Sequence, residues 1–162
     1  MAVFIYHPET KRTLDSLARQ LPQSLLLSGP HGVGLQTAAT ALAGKNIASL
    51  IIPHDKTGHS DPENGTITAE TIRKLYEQTR SKQTKSHVVI IDNADRMSQA
   101  ASNAFLKLLE EPASNIHFIL TSHTPEKLLP TIRSRVQHIV LRMISSQQTN
   151  DFLDELNITD PT

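Results

Sequence analysis

Five short apolar runs, at residues 24–28, 48–52, 87–92, 116–121 and 136–141, punctuate the chain, and helix-like stretches separate them. The runs are short and show little strict alternation of apolar and polar residues, which is the pattern of strands buried on both faces. Residues 33–43, 69–79 and 99–110 carry helical periodicity, and a shorter helix starts at Pro125. Strands and helices in strict alternation predict an α/β fold: a five-stranded parallel sheet flanked by helices.

Local signals sharpen this reading. Leu14, Leu17 and Leu21, spaced by three and four, predict an amphipathic helix over 8–20, ahead of the first strand. Thr68 and Ser98 are N-cap residues, Pro125 takes a first helical position after Thr124, and Pro112 closes the long helix. That helix presents Ala101, Ala104, Phe105, Leu108 and Leu109 to the core. The polar, turn-rich stretch 53–65 (PHDKTGHSDPENG) reads as a mobile surface connection. Ser145 and Gln148 have capping-box spacing and start one more amphipathic helix through Phe152, Leu153 and Leu156.

Composition narrows the function classes. At 162 residues the chain has one domain's length, enough to bury roughly 70% of its unfolded surface. It contains no cysteine, which excludes disulfides, a thiolate nucleophile and a Cys-ligated zinc site. Lys plus Arg and Asp plus Glu number 16 each, so no global positive field binds nucleic acid, and any DNA contact is local or shared with partners. The first ten residues lack signal-peptide character, and no segment has the ~20 apolar residues that span a bilayer. A cytoplasmic location without membrane contact is the expectation.

The segment LLLSGPHGVGLQT is a strand running into a glycine-rich turn and a helix. Gly29, Gly32 and Gly34 lie in it, and Gly29 and Gly34 have the spacing of the phosphate loop G-x-x-x-x-G-K-[ST]. Leu35 stands where the phosphate-binding lysine belongs, and Gln36 where the magnesium-holding hydroxyl belongs. A charge-assisted hydrogen bond contributes about 1.5–3 kcal/mol, so these losses remove ~10²-fold or more in triphosphate affinity. The loop amides and helix N-terminus retain a capacity for weak anion binding, so weak ATP and magnesium binding stays open. Asp92 ends a buried strand where phosphate-loop enzymes hold magnesium, and Asn93 follows it.

Two further blocks carry a resemblance. Residues 92–112 form a small-residue helix that ends Leu-Lys-Leu-Leu-Glu-Glu-Pro, and residues 118–137 contain Thr121, Ser122 and His123 followed by Ser134-Arg135-Val136. Together they resemble the AAA+ clamp-loader family of DNA polymerase III subunits, and within it the delta-prime kind. Thr121–His123 match the family's sensor segment, and Ser134-Arg135-Val136 its Ser-Arg-Cys motif with valine in place of cysteine. The resemblance implies a P-loop NTPase fold of AAA+ type over 1–143, with 144–162 beginning a helical lid or tail. It also implies a non-hydrolysing stator that helps load the sliding clamp onto primed DNA. In that role Arg135, positioned by Ser134, is an arginine finger offered in trans to a neighbouring ATPase subunit. The implied partners are motor subunits of the gamma/tau kind and a delta-type subunit, with clamp and primed DNA met indirectly. The chain has neither the family's four-cysteine zinc module nor its helical collar, which admits a truncated paralogue acting as a protein-binding module. A weak ATPase built on the loop amides and Asp92 is the enzymatic alternative.

Two clusters stay outside this picture. His54, Asp55, His59 and Asp61 form an acidic and imidazole cluster in a turn-rich loop without an evident supporting shell, so no metal site is assigned. Arg73, Lys74, Arg80, Lys82 and Lys85 concentrate positive charge around Glu77, and they read first as a solvated helix face.

Overall fold

The computed structural model describes residues 6–80 and 85–155. Lys82 and Leu156, singled out above, lie outside the described residues. The elements run α1 Pro8–Arg19, β1 Ser24–Ser28, α2 Leu35–Ala43, β2 Ile47–Ile51, α3 Ala69–Arg80, β3 His87–Ile91, α4 Gln99–Glu110, β4 Ile116–Ser122, α5 Pro130–Arg133, β5 Gln137–Val140 and α6 Ser146–Glu155. No helix among the described residues is long and apolar enough to cross a membrane.

The strands form one parallel sheet in the order β2-β3-β4-β1-β5. All of β1 is buried, with β4 on one side and β5 on the other. Because successive strand side chains point to opposite faces, β1, β3 and β4 each divide their apolar residues between two cores. Leu26, Val89, Ile91, Phe118 and Leu120 face α3 and α4, where Ile72, Leu75, Ala101, Phe105, Leu108 and Leu109 meet them. Leu25, Leu27, Val88, Ile90 and Ile119 face the other way, onto Leu17 of α1 and Leu35, Ala38 and Ala39 of α2. Phe105 and Phe118 pack edge to face at 5.3 Å and 88°. Ala104 of the expected α4 stripe is only partly buried, at the margin of the same core.

The expectation of strands buried on both faces holds for β1, β3 and β4, and needs correction at the edges. Leu50 of β2 is exposed, and so is most of β5, Val140 included. An apolar run alone does not reveal whether its strand is central or at an edge. The helix expected at Pro125 is a short 3-10 turn, Pro125–Lys127, followed by the separate α5 with its own proline, Pro130.

The caps act where expected. Ser98 Oγ accepts from Ala101 N at 3.1 Å, and Thr68 Oγ1 accepts from Thr71 N at 3.4 Å. Ser145 and Gln148 bond reciprocally, at 2.9 and 3.2 Å, and start α6. The stretch 53–65 is laced by hydrogen bonds rather than free: His54 pairs with Thr66, Asp61 N donates to the Pro53 carbonyl, and Gly65 N to the Asp61 carbonyl.

Phe105 carries the largest fully buried side chain of α4 and lies against β4. Phe105→Ala is expected to lower unfolding free energy by about 3–5 kcal/mol, read as a lower urea midpoint at unchanged slope.

Candidate functional site

The carboxyl ends of parallel strands are where α/β sheets place ligands, at the point where successive connections leave on opposite faces. Here α2 leaves β1 on one face and α5 leaves β4 on the other. The ends of β1, β3 and β4 therefore converge, and they bring Gly29, Asp92, Thr121, Ser122 and His123 together.

Gly29 has no left-handed backbone, yet a Cβ there would lie 2.8 Å from the Leu141 carbonyl oxygen and 2.9 Å from Val33 Cγ1. Its missing side chain lets the chain leaving β5 approach, and Leu141 N donates to the Ser28 carbonyl at 2.7 Å. Gly32 and Gly34 have φ of 85° and 84°, a region glycine enters without steric cost. Gly34 is the N-cap of α2 and its carbonyl accepts from the Tyr6 hydroxyl at 3.3 Å. Burial pushes the Tyr6 phenol above its ordinary pKa. Leu35 is 4% exposed and belongs to the core under α2, while Gln36 faces solvent.

Asp92 is buried, and both its oxygens are engaged within the chain. Thr121 Oγ1 donates to Oδ1 at 2.5 Å, and Asn93 Nδ2 to Oδ2 at 3.3 Å. Thr121 Oγ1 also accepts from Asn93 N at 3.0 Å, so one hydroxyl joins the ends of β3 and β4. Asn93 sits at φ 50°, a left-handed conformation that asparagine tolerates better than most residues. Beside it, Asp95 accepts from the Ser122 hydroxyl and from Thr124 Oγ1.

His123 Nδ1 donates to the Gly29 carbonyl at 2.9 Å, and its ring stacks on His31 with centroids 4.0 Å apart. The two imidazoles bridge the glycine turn and the end of β4. They border a cleft of about 530 Å³ that also meets Asn93, Asp95, Arg96 and Lys127. His31 and Tyr6 escaped the sequence reading. His31 is a loop residue between two glycines' worth of turn, and Tyr6 precedes the first helix, so neither has a periodicity to mark its contact.

Ser134 and Arg135 do not join this group. Gln137 pairs in register with Leu25 at the start of β1, whereas Gly29 follows its end. At about 3.3 Å per residue, four residues put the two ends ~13 Å apart along the strand. Arg135 is exposed, and it donates from Nη1 to the Thr131 carbonyl at 2.9 Å and from Nη2 to Glu110 Oε1 at 3.0 Å. Ser134 Oγ donates to the same Thr131 carbonyl at 3.1 Å.

In the 53–65 loop, Asp55 Oδ1 accepts from Thr57 N, Thr57 Oγ1 and His59 N, a turn-capping arrangement. The Thr57 hydroxyl, first among these donors, holds the Asp55 carboxyl below its usual pKa. No group of three or more His, Asp or Glu among the described residues is arranged to hold a metal ion. On the basic face, Lys74 pairs with Glu70 at 3.2 Å and Arg80 lies over the Tyr76 ring while donating to its hydroxyl.

Residues 48–145 match the family described as DNA polymerase III, delta subunit. The chain is 31% identical to the DNA polymerase III subunit delta' of Haemophilus influenzae, over 82% of this chain and 46% of that one. It is 33% identical to the DNA polymerase III subunit gamma of Buchnera aphidicola, over 81% and 41%. It thus spans less than half the length of each of these relatives. Among solved structures, a gamma subunit-related protein of Thermotoga maritima superposes with a TM-score of 0.66 at 25% identity, covering 90% of this chain and 53% of that one. The RuvB branch migration motor of the same organism, at 16% identity and a TM-score of 0.65, over 94% of this chain and 52% of that one, shares the fold.

Thr121→Val removes the hydroxyl that serves Asp92 and Asn93 together while keeping the strand's volume. A loss of about 1–3 kcal/mol in stability is expected, measured by chemical denaturation and accompanied by faster amide exchange at Asn93.

Proposed function

We propose a function from one premise: the chain belongs to the DNA polymerase III, delta subunit family of clamp-loader AAA+ proteins. In this reading it acts in DNA replication as a delta-prime-like subunit that does not hydrolyse ATP. It helps load the sliding clamp onto primed DNA and offers Arg135 to the ATP site of a neighbouring motor subunit of the gamma/tau kind. A delta-type subunit completes the set of partners, and the assembly works in the cytoplasm.

The position of Arg135 carries the proposal. It is exposed at the opposite end of the sheet from the chain's own glycine turn, ~13 Å along β1 by the rise of a strand. An arginine so placed does not reach a phosphate held by its own loop, but it can reach one held by an adjoining subunit. A guanidinium there stabilises charge on the transferring phosphoryl group.

The chain's own turn supports the non-hydrolysing part. A side chain at position 35 that is 4% exposed in an apolar core is no phosphate ligand, and Leu35 could become a lysine only by burying a charge. Asp92 accepts one hydrogen bond on each oxygen, from Thr121 and Asn93, so part of its acceptor capacity is already used within the chain. What persists of a phosphate-loop site is backbone: Gly32 and Gly34 in left-handed conformation, and the start of α2.

Calorimetric titration of the chain with ATP and magnesium is expected to give no heat of binding at micromolar concentrations. A micromolar Kd would instead favour a chain with its own nucleotide site. In a reconstituted loader, Arg135→Ala is expected to lower the neighbouring subunit's ATP turnover by about 10³-fold or more if the residue acts as arginine fingers do. Unchanged turnover in an assembled complex would refute the finger role.

A further inference from the structure

The guanidinium of Arg135 is held from two sides. Its Nη1 donates to the Thr131 carbonyl in α5 at 2.9 Å and approaches Ser134 Oγ at 3.5 Å. Its Nη2 donates to Glu110 Oε1 at 3.0 Å. Glu110 is the last residue of α4, so the cation also lies at a helix C-terminus, where the helix dipole favours positive charge. Two elements distant in sequence thus converge on one exposed side chain.

We infer that Glu110 is the positioning residue for Arg135, holding its guanidinium in a fixed orientation for a phosphate on the adjoining subunit. This rests on the reading of Arg135 as a finger in trans. A long arginine side chain has several rotatable bonds, and ordering it costs rotamer entropy. A free one must lose that freedom each time it meets a phosphate, whereas one already held by Thr131 and Glu110 has lost most of it beforehand. Holding does not exhaust its donors. The guanidinium has five N–H groups; among the described residues three of them meet Thr131, Ser134 and Glu110, which leaves two for an acceptor outside the chain.

Exposure sets the scale. The Arg135 and Glu110 side chains are 37% and 50% exposed, so the pair is a partly solvated contact of modest strength. Its effect is orientation rather than fold stability. Glu110 does not touch the phosphate in this proposal; it acts through Arg135.

The test uses the loader reconstituted from this chain with the motor subunits of its own organism, comparing Arg135→Ala, Glu110→Ala and Glu110→Gln. Assembly is checked by size exclusion and folding by thermal melting. Glu110→Ala is expected to lower kcat for ATP by about three- to fivefold, the scale of one exposed ion pair, with KM for ATP unchanged. Glu110→Gln, whose Oε1 still accepts from Nη2, is expected to recover more than half of that loss. A merely structural role would move melting and assembly without this split between kcat and KM or the rescue by glutamine.

If Arg135→Ala abolishes turnover and Glu110→Ala leaves kcat at the parent value, the positioning role is overturned while the finger stands. A rise in kcat for Glu110→Ala also overturns it, since Glu110 would then restrain the arginine. If Arg135→Ala itself changes nothing, the finger reading fails and the inference falls with it.

Discussion

Insertion of β1 between β4 and β5 is the constraint on which the rest of the molecule depends. Every residue of β1 is buried, and only a strand paired on both sides satisfies its backbone groups there. With β1 in that slot, the chain must cross to the far edge for β2 and return through β3 and β4. Parallel strands demand helical crossovers on the way, which sends α2 to one face and α3, α4 and α5 to the other. The two cores follow from the period-two division of the apolar residues of β1, β3 and β4.

The same arrangement separates two chemistries. Residues that follow strands gather at the carboxyl edge, where the Thr121 hydroxyl ties Asp92 to Asn93 and His123 ties the end of β4 to Gly29. Residues that precede strands gather at the other edge, where Arg135 meets the last turn of α4 through Glu110. In the proposed reading, a carboxylate bonded to its neighbours at one edge and a solvent-facing guanidinium at the other suit the chain to contribute to an adjoining site more than to its own. That asymmetry is the physical content of the proposed stator role within the clamp-loader family.

The glycine turn has packing reasons of its own. Gly29 accommodates the Leu141 carbonyl, so the first glycine of the pattern is required by packing of the chain leaving β5 whether or not a phosphate binds. Gly34 caps α2 with a φ that a β-carbon would oppose. Leu35, next in the chain, packs into the core under α2.

Element order, the helical face of Phe105 and Leu108, and the caps at Ser98 and Ser145 were determined by sequence alone, because each rests on contacts a few residues apart. Gly29, Leu35, Asp92 and Arg135 were legible as candidates for the same reason: motif spacing is local. Tertiary structure decided which strands were central, since an apolar run does not record its neighbours, and it turned the loop 53–65 from a free connection into a hydrogen-bonded one. It alone brought Thr121 to Asp92 across 29 positions and Glu110 to Arg135 across 25. Those pairings depend on strand order and helix direction, quantities that come from burying two faces of one sheet at once and are not written in any local stretch of the chain.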